Sequence, residues 1–199
     1  MFSRESIHAR MRELGHVVFD GAKPFDLNIV GLRRQPAIPN TFCDRIAVFY
    51  RETVGGPWVF HAWPATTNPG TYWLQNPMNV SGTGILIPGQ YRGSHSIGMH
   101  RGAYRALVQT GTLRLWLDAD KDAEIDHGRM IEGTRFGINI HHAGEHSTRV
   151  DKWSAGCQVF ANLADYNEFM GIVDRAFAIW GPRFSYSLVE LPADEFPGS

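Results

Sequence analysis

Cys157 and His141 are the two residues whose types and placement suit covalent chemistry. A thiol becomes a strong nucleophile once it is a thiolate, which needs a nearby base or cation and an approachable sulfur. The segment that holds both reads GINIHHAGEHSTRVDKWSAGCQVF, residues 137–160. Ser154-Ala155-Gly156 supplies small residues just before the sulfur, which suits a tight turn and close substrate approach. Amides near Gly156 and Cys157 are candidate donors to a developing oxyanion, with Ser154 shaping the same turn. An activated Cys157 is expected to react with thiol probes well below the pH that a free thiol needs, its pKa being about 8.5.

These residues must be positioned by the elements around them. Residues 136–141 (FGINIH) alternate, with Phe136, Ile138 and Ile140 on one face and Gly137, Asn139 and His141 on the other. His141 therefore stands at the polar-face end of an expected strand, 16 positions before Cys157. After the cysteine comes the strongest helical pattern. Asn162 is the expected N-cap, Leu163, Tyr166, Met170, Val173, Phe177 and Trp180 form an apolar stripe, and Gly181-Pro182 ends it. A short amphipathic helix is expected over residues 3–14, with Ile7, Met11 and Leu14 on one face. Residues 44–50 and 57–63 flank Gly55-Gly56 and read as a hairpin; residues 104–108 and 112–117 read as a second one across Gly111. Residues 64–102 are rich in Pro, Gly and Asn and read as long loops with short strands, and 184–191 as a closing strand. The sum is a mainly β domain, a β-sandwich or partly closed barrel, with one long helix after the cysteine and a short N-terminal helix.

The bulk properties narrow the function classes. The chain has 199 residues, 43% of them hydrophobic and 20% charged, enough to bury a core. Nineteen basic residues face twenty acidic ones, and no basic stripe of the kind nucleic acid attracts is visible. The first residues, Met1-Phe2-Ser3-Arg4-Glu5-Ser6, hold no apolar run of the signal-peptide type, and no stretch approaches the ~18 apolar residues of a membrane span. Two cysteines, Cys43 and Cys157, do not make a disulfide scaffold.

At the level of motifs, residues 136–160 resemble the L,D-transpeptidase catalytic domain. Ile140-His141 is similar to that family's strand-end Ile-His, and Ser154, Gly156 and Cys157 to its Ser/Thr-His-Gly-Cys element. A weaker likeness extends over residues 44–190, where Ala65-Thr66-Thr67 and Ile87-Pro88-Gly89-Gln90-Tyr91 loosely echo a Thr-Pro-x-Gly-x-Tyr segment. The resemblance implies a domain over 41–199 preceded by an N-terminal helix and extension over 1–40. It implies a peptidoglycan stem peptide as partner, with no cofactor required. It also implies Cys157 as nucleophile and His141 as base, in acyl transfer or hydrolysis at L,D-peptide bonds. Two positions depart from the pattern: Ala155 stands where the family has His, and Val159 where it has Arg. With no export signal in view, a wall-directed enzyme of this kind is expected to reach murein by another route, such as phage release or a virion, or a secretion machine.

Other features compete for attention. Trp153 and His142 are candidate substrate contacts beside the proposed nucleophile. Asp118, Asp120, Asp122 and Asp126 have calcium-loop spacing, although Ala123 and Arg129 occupy the positions where Gly and Glu are usual. A zinc site from His141, His142, His146 and Cys157 lacks the paired-ligand spacing such sites show. His95 and His100 read as loop residues. The alternative to an enzyme is a structural or cell-wall-binding module that keeps the fold, which the changes at Ala155 and Val159 motivate.

Overall fold

The computed structural model describes residues 2–21 and 23–196. Eight strands close into a barrel: β1 (Asn28–Gln35), β2 (Asp44–Arg51), β3 (Trp58–Thr66), β5 (Gly89–His100), β6 (Tyr104–Gln109), β9 (Ile140–His142), β10 (Gln158–Phe160) and β11 (Phe184–Pro192). Their order around the barrel is β1-β11-β5-β6-β9-β10-β3-β2. Closure leaves the barrel itself without a free edge among the described residues. A second sheet of β4 (Thr83–Leu86), β7 (Leu113–Asp118) and β8 (Met130–Gly133), in the order β4-β7-β8, lies apart from the barrel ladder. The mainly β expectation is met, in a closed barrel rather than a sandwich.

The apolar runs in β1 and β2 are continuous because both strand faces are covered. Ile46, Val48 and Tyr50 join the main core cluster, while Ala47 and Phe49 face a second one with Ile7 and Met11 of α1 (Arg4–Glu13). The helix α1 carries a capping box between Ser3 and Ser6, which satisfies its first free amides. Leu14, expected on the same face, is exposed beyond the helix end. Strand β1 belongs to the segment before residue 41, yet it pairs with β2 on one side and β11 on the other. The first forty residues are thus partly built into the barrel.

Three further elements differ from what the pattern suggested. Strands β6 and β7 do not form a hairpin, because β6 pairs with β5 and β9 while β7 pairs with β4 and β8. The amides of Thr110 and Gly111 both donate to the Ser94 carbonyl, which ties this turn to β5. Residues 64–102, expected as long loops with short strands, hold a short helix α2 (Thr71–Gln75), β4 and the twelve-residue β5, so His95 and His100 are strand residues. Helix α3 (Leu163–Trp180) starts and stops where expected, at Asn162 and Gly181. Its buried face is rotated, however: Tyr166, Phe169, Met170, Ile172, Val173 and Ala176 are buried, while Phe177 and Trp180 are exposed. Trp180 instead donates from Nε1 to the Pro24 carbonyl at 2.7 Å. Among the described residues no helix is long and apolar enough to cross a membrane.

Candidate active site

Parallel pairing of β9 and β10 sets Val159 opposite His141 and Phe160 opposite His142. Strand residues alternate faces, so Asn139, His141, Cys157 and Val159 share the outer face while Ile138, Ile140 and Phe160 enter the core. A separation of 16 residues in sequence becomes two adjacent strands in space. Both Cys157 and His141 line one cleft of about 670 Å³ between the barrel and the small sheet. Gly84 of β4 and Leu115 and Leu117 of β7 form the opposite wall.

The cysteine turn is held from several sides. The Gly70 amide donates to the Ser154 carbonyl at 2.9 Å, and Trp73 Nε1 donates to the Lys152 carbonyl at 3.0 Å. Asn40 Oδ1 accepts from the Asp151 amide and its Nδ2 donates to Asp151 Oδ1, both at 2.6 Å. Asp151 thus anchors the loop. Gly156 has φ +118°, and a Cβ there would lie 2.4 Å from the Gly84 carbonyl oxygen. Only glycine lets the turn approach β4 so closely. Ser154 Oγ donates to the Cys157 carbonyl at 2.8 Å and accepts from the Gly156 amide at 3.2 Å. The donors of Ser154 and Gly156 are therefore committed inside the turn. The Cys157 amide has no partner among the described residues and is, like that of cleft-lining Ala155, a candidate donor to an oxyanion.

The protons of the pair follow from the hydrogen bonds. His141 Nδ1 lies 2.9 Å from the His142 carbonyl, which can only accept, so Nδ1 carries the proton. Tyr104 Oη, 3.0 Å from the same nitrogen, donates in turn to the His142 carbonyl at 3.2 Å. His141 Nε2 is left as the bare lone pair, buried and without a partner among the described residues. Burial, and then the neighbouring His100 ring, push the His141 pKa down to about 3. His100 stacks on His141 with ring centroids 3.9 Å apart. Asn139 Oδ1 accepts from the Gln109 amide at 2.9 Å, so its Nδ2 donates to His100 Nδ1 at 3.1 Å and leaves the His100 proton on Nε2.

Cys157 is a protonated thiol at rest. Sγ donates to the Gly137 carbonyl at 3.3 Å and accepts from the Asn139 amide at 3.4 Å. Burial pushes its pKa up to about 11, against smaller opposing effects of the Asn139 amide and Arg101. Burial thus holds the resting sulfur in its thiol form more firmly than in a free cysteine. Alkylation of Cys157 by iodoacetamide is expected to keep rising about tenfold per pH unit from pH 7 past pH 9. Peptide mapping of the labelled protein over that range measures it, and a plateau below pH 9 would contradict it. Cys43 and Cys157 are both free thiols.

The other sequence candidates separate. Trp153 lines the cleft and is 44% exposed, so it stands as a rim aromatic and not a core one. His142 does not line the cleft; its ring packs against Tyr104 and Tyr166. His146 is exposed, bridged to Asn162. Neither ring stands in for the missing motif histidine, and no group of three or more metal-ligating side chains among the described residues includes them. Ala155 lines the cleft, and Val159 is buried against Ala143 and Cys157. Asp118, Asp120 and Asp126 bring carboxylate oxygens within 4.8 Å of one another, whereas Asp122 is outside that group and accepts from the Glu124 amide at 2.7 Å. Such acidic groups are common without an ion, so the cluster alone is an acidic turn.

Sequence reasoning missed His100, Asn139, Tyr104 and His95. The first three fix the orientation of His141, directly or through a stack. His95, fully buried on β5, is hydrogen-bonded through Nε2 to the Ile138 carbonyl at 3.0 Å, beside the site strand. No family model, curated protein or solved structure matches the chain.

Proposed function

We propose that the cleft carries out cysteine-dependent acyl transfer or hydrolysis on the L,D-peptide bonds of peptidoglycan stem peptides. The observation that carries this reading is that one cleft is lined by both a thiol and a histidine whose Nε2 is bare and whose tautomer is fixed. The likeness of Ile140-His141 and Ser154-x-Gly156-Cys157 to the L,D-transpeptidase motifs supplies the substrate class.

In this reading the thiol proton passes to His141 Nε2 as Sγ attacks the substrate carbonyl. A neutral thiol and a neutral imidazole favour transfer concerted with attack over a standing ion pair. The Cys157 amide faces the developing oxyanion. Collapse breaks the C–N bond, and the departing amine takes its proton from His141. A second amine, or water, then attacks the thioester and frees Cys157.

The raised thiol pKa, together with Ala155 and Val159, favours a second reading: a structural or wall-binding module that retains the site without turnover. Mass spectrometry of muropeptides incubated with the protein separates the two. New cross-linked or cleaved species that vanish with Cys157→Ala support the enzyme. Unchanged muropeptides, or products that survive Cys157→Ala, overturn it.

A further inference from the structure

We infer that the cleft selects an anionic substrate, reading a carboxylate near the reacting carbonyl with Arg101, Arg129 and Arg135. All three line the same cleft as Cys157, from three separate places in the chain. Arg101 is at the tip of the β5–β6 turn, Arg129 directly precedes β8, and Arg135 follows it by two residues. Among the described residues no Asp or Glu lines the cleft, in a chain where acidic residues outnumber basic ones by one.

Each of the three side chains is exposed, and none has an ion pair or hydrogen bond among the described residues. Several other arginines are paired, Arg105 with Asp174, Arg51 with Asp20 and Arg33 with Thr67, while Arg12 and Arg183 are unpaired among the described residues, outside the cleft. Unpaired guanidiniums gathered over one concave surface raise the local concentration of anions and orient them through forked N–H donors. The field of Arg101 already reaches the sulfur, His100, His141 and Tyr104. Leu115, Leu117 and Ile131 line the same cleft, and their low-dielectric surface strengthens the attraction of the three arginines to a carboxylate.

This inference rests on the cleft being the reaction site, and its test separates the two claims. Cys157 is alkylated in parallel with iodoacetate, a carboxylate probe, and with iodoacetamide, its neutral counterpart of similar size, at pH 9 and low salt. Peptide mapping assigns the label. The ratio of the two rates, divided by the same ratio for Cys157 in the urea-unfolded chain, is expected to be about tenfold or more. It should fall stepwise towards one with Arg101→Gln, Arg129→Gln and Arg135→Gln, and with added salt as screening shortens the reach of the charges. A normalised ratio near one, or one that the triple variant leaves unchanged, overturns the inference whatever the protein does to murein. A high ratio in a protein that turns over no muropeptide keeps the anion site and removes the proposed activity. Where turnover is found, the triple variant should raise KM for muropeptides with free carboxylates about tenfold and spare carboxyl-amidated ones. Equal effects on both would also overturn it.

Discussion

His141→Gln is expected to lower muropeptide turnover by about 10²- to 10⁴-fold, the range over which a positioned general base contributes. Glutamine can keep a donor towards the His142 carbonyl but has no basic nitrogen to take the thiol proton. The ring is only 2% exposed and is clamped by the His142 carbonyl, Tyr104 and the His100 stack, so little else should move. The measurement is kcat/KM on purified muropeptides, with circular dichroism confirming the fold. Activity within about threefold of the unsubstituted protein would remove His141 from the proton path.

Asp44→Ala is expected to cost about 3–5 kcal/mol of stability, the scale for breaking a buried ionic network by removing one partner. Asp44 is 1% exposed at the start of β2. Its Oδ2 accepts from the Thr67 amide and hydroxyl, both at 2.7 Å, and its Oδ1 accepts from the Arg34 amide at 2.9 Å. Arg33, also 1% exposed, donates from Nε to Thr67 Oγ1 at 3.0 Å and from Nη2 to the Thr67 carbonyl at 2.8 Å. Alanine would leave the amides of Thr67 and Arg34 unsatisfied and leave Glu190, 3.6 Å from Arg33 Nη1, to balance the buried guanidinium. Urea unfolding followed by fluorescence gives the change as a lowered midpoint. A loss below about 1 kcal/mol would mean that the network relaxes or is hydrated.

What the sequence revealed depended on how local each determinant was. The β2–β3 hairpin was legible because two apolar, strand-forming runs flank Gly55-Gly56, which marks the turn. Helix α3 was legible from its 3.6-residue period and its terminal residues. Its buried face was not, since Phe169 and Ala176 win their places only by packing against the barrel core, while Phe177 and Trp180 are left outside. The turn at Gly111 suggested pairing of residues 104–108 with 112–117, but β6 instead forms a hairpin with β5 across residues 101–103. His141 and Cys157 could be linked through motif spacing, and the parallel β9–β10 register is the physical basis of that spacing. His100 could not be linked to them. It stands 41 positions before His141, on a strand hidden in a Gly-rich stretch, and meets its partner only across the barrel wall. The three cleft arginines were equally hidden, because two of them flank β8 in the other sheet.

Acyl chemistry at Cys157 is tested most directly by acid-quenching the protein during incubation with muropeptides and weighing it intact. The expected result is a population heavier by the substrate less its leaving amine, mapped to the Cys157 peptide and absent in Cys157→Ala. Muropeptide processing that proceeds equally in both proteins, with no mass added at Cys157, would contradict it.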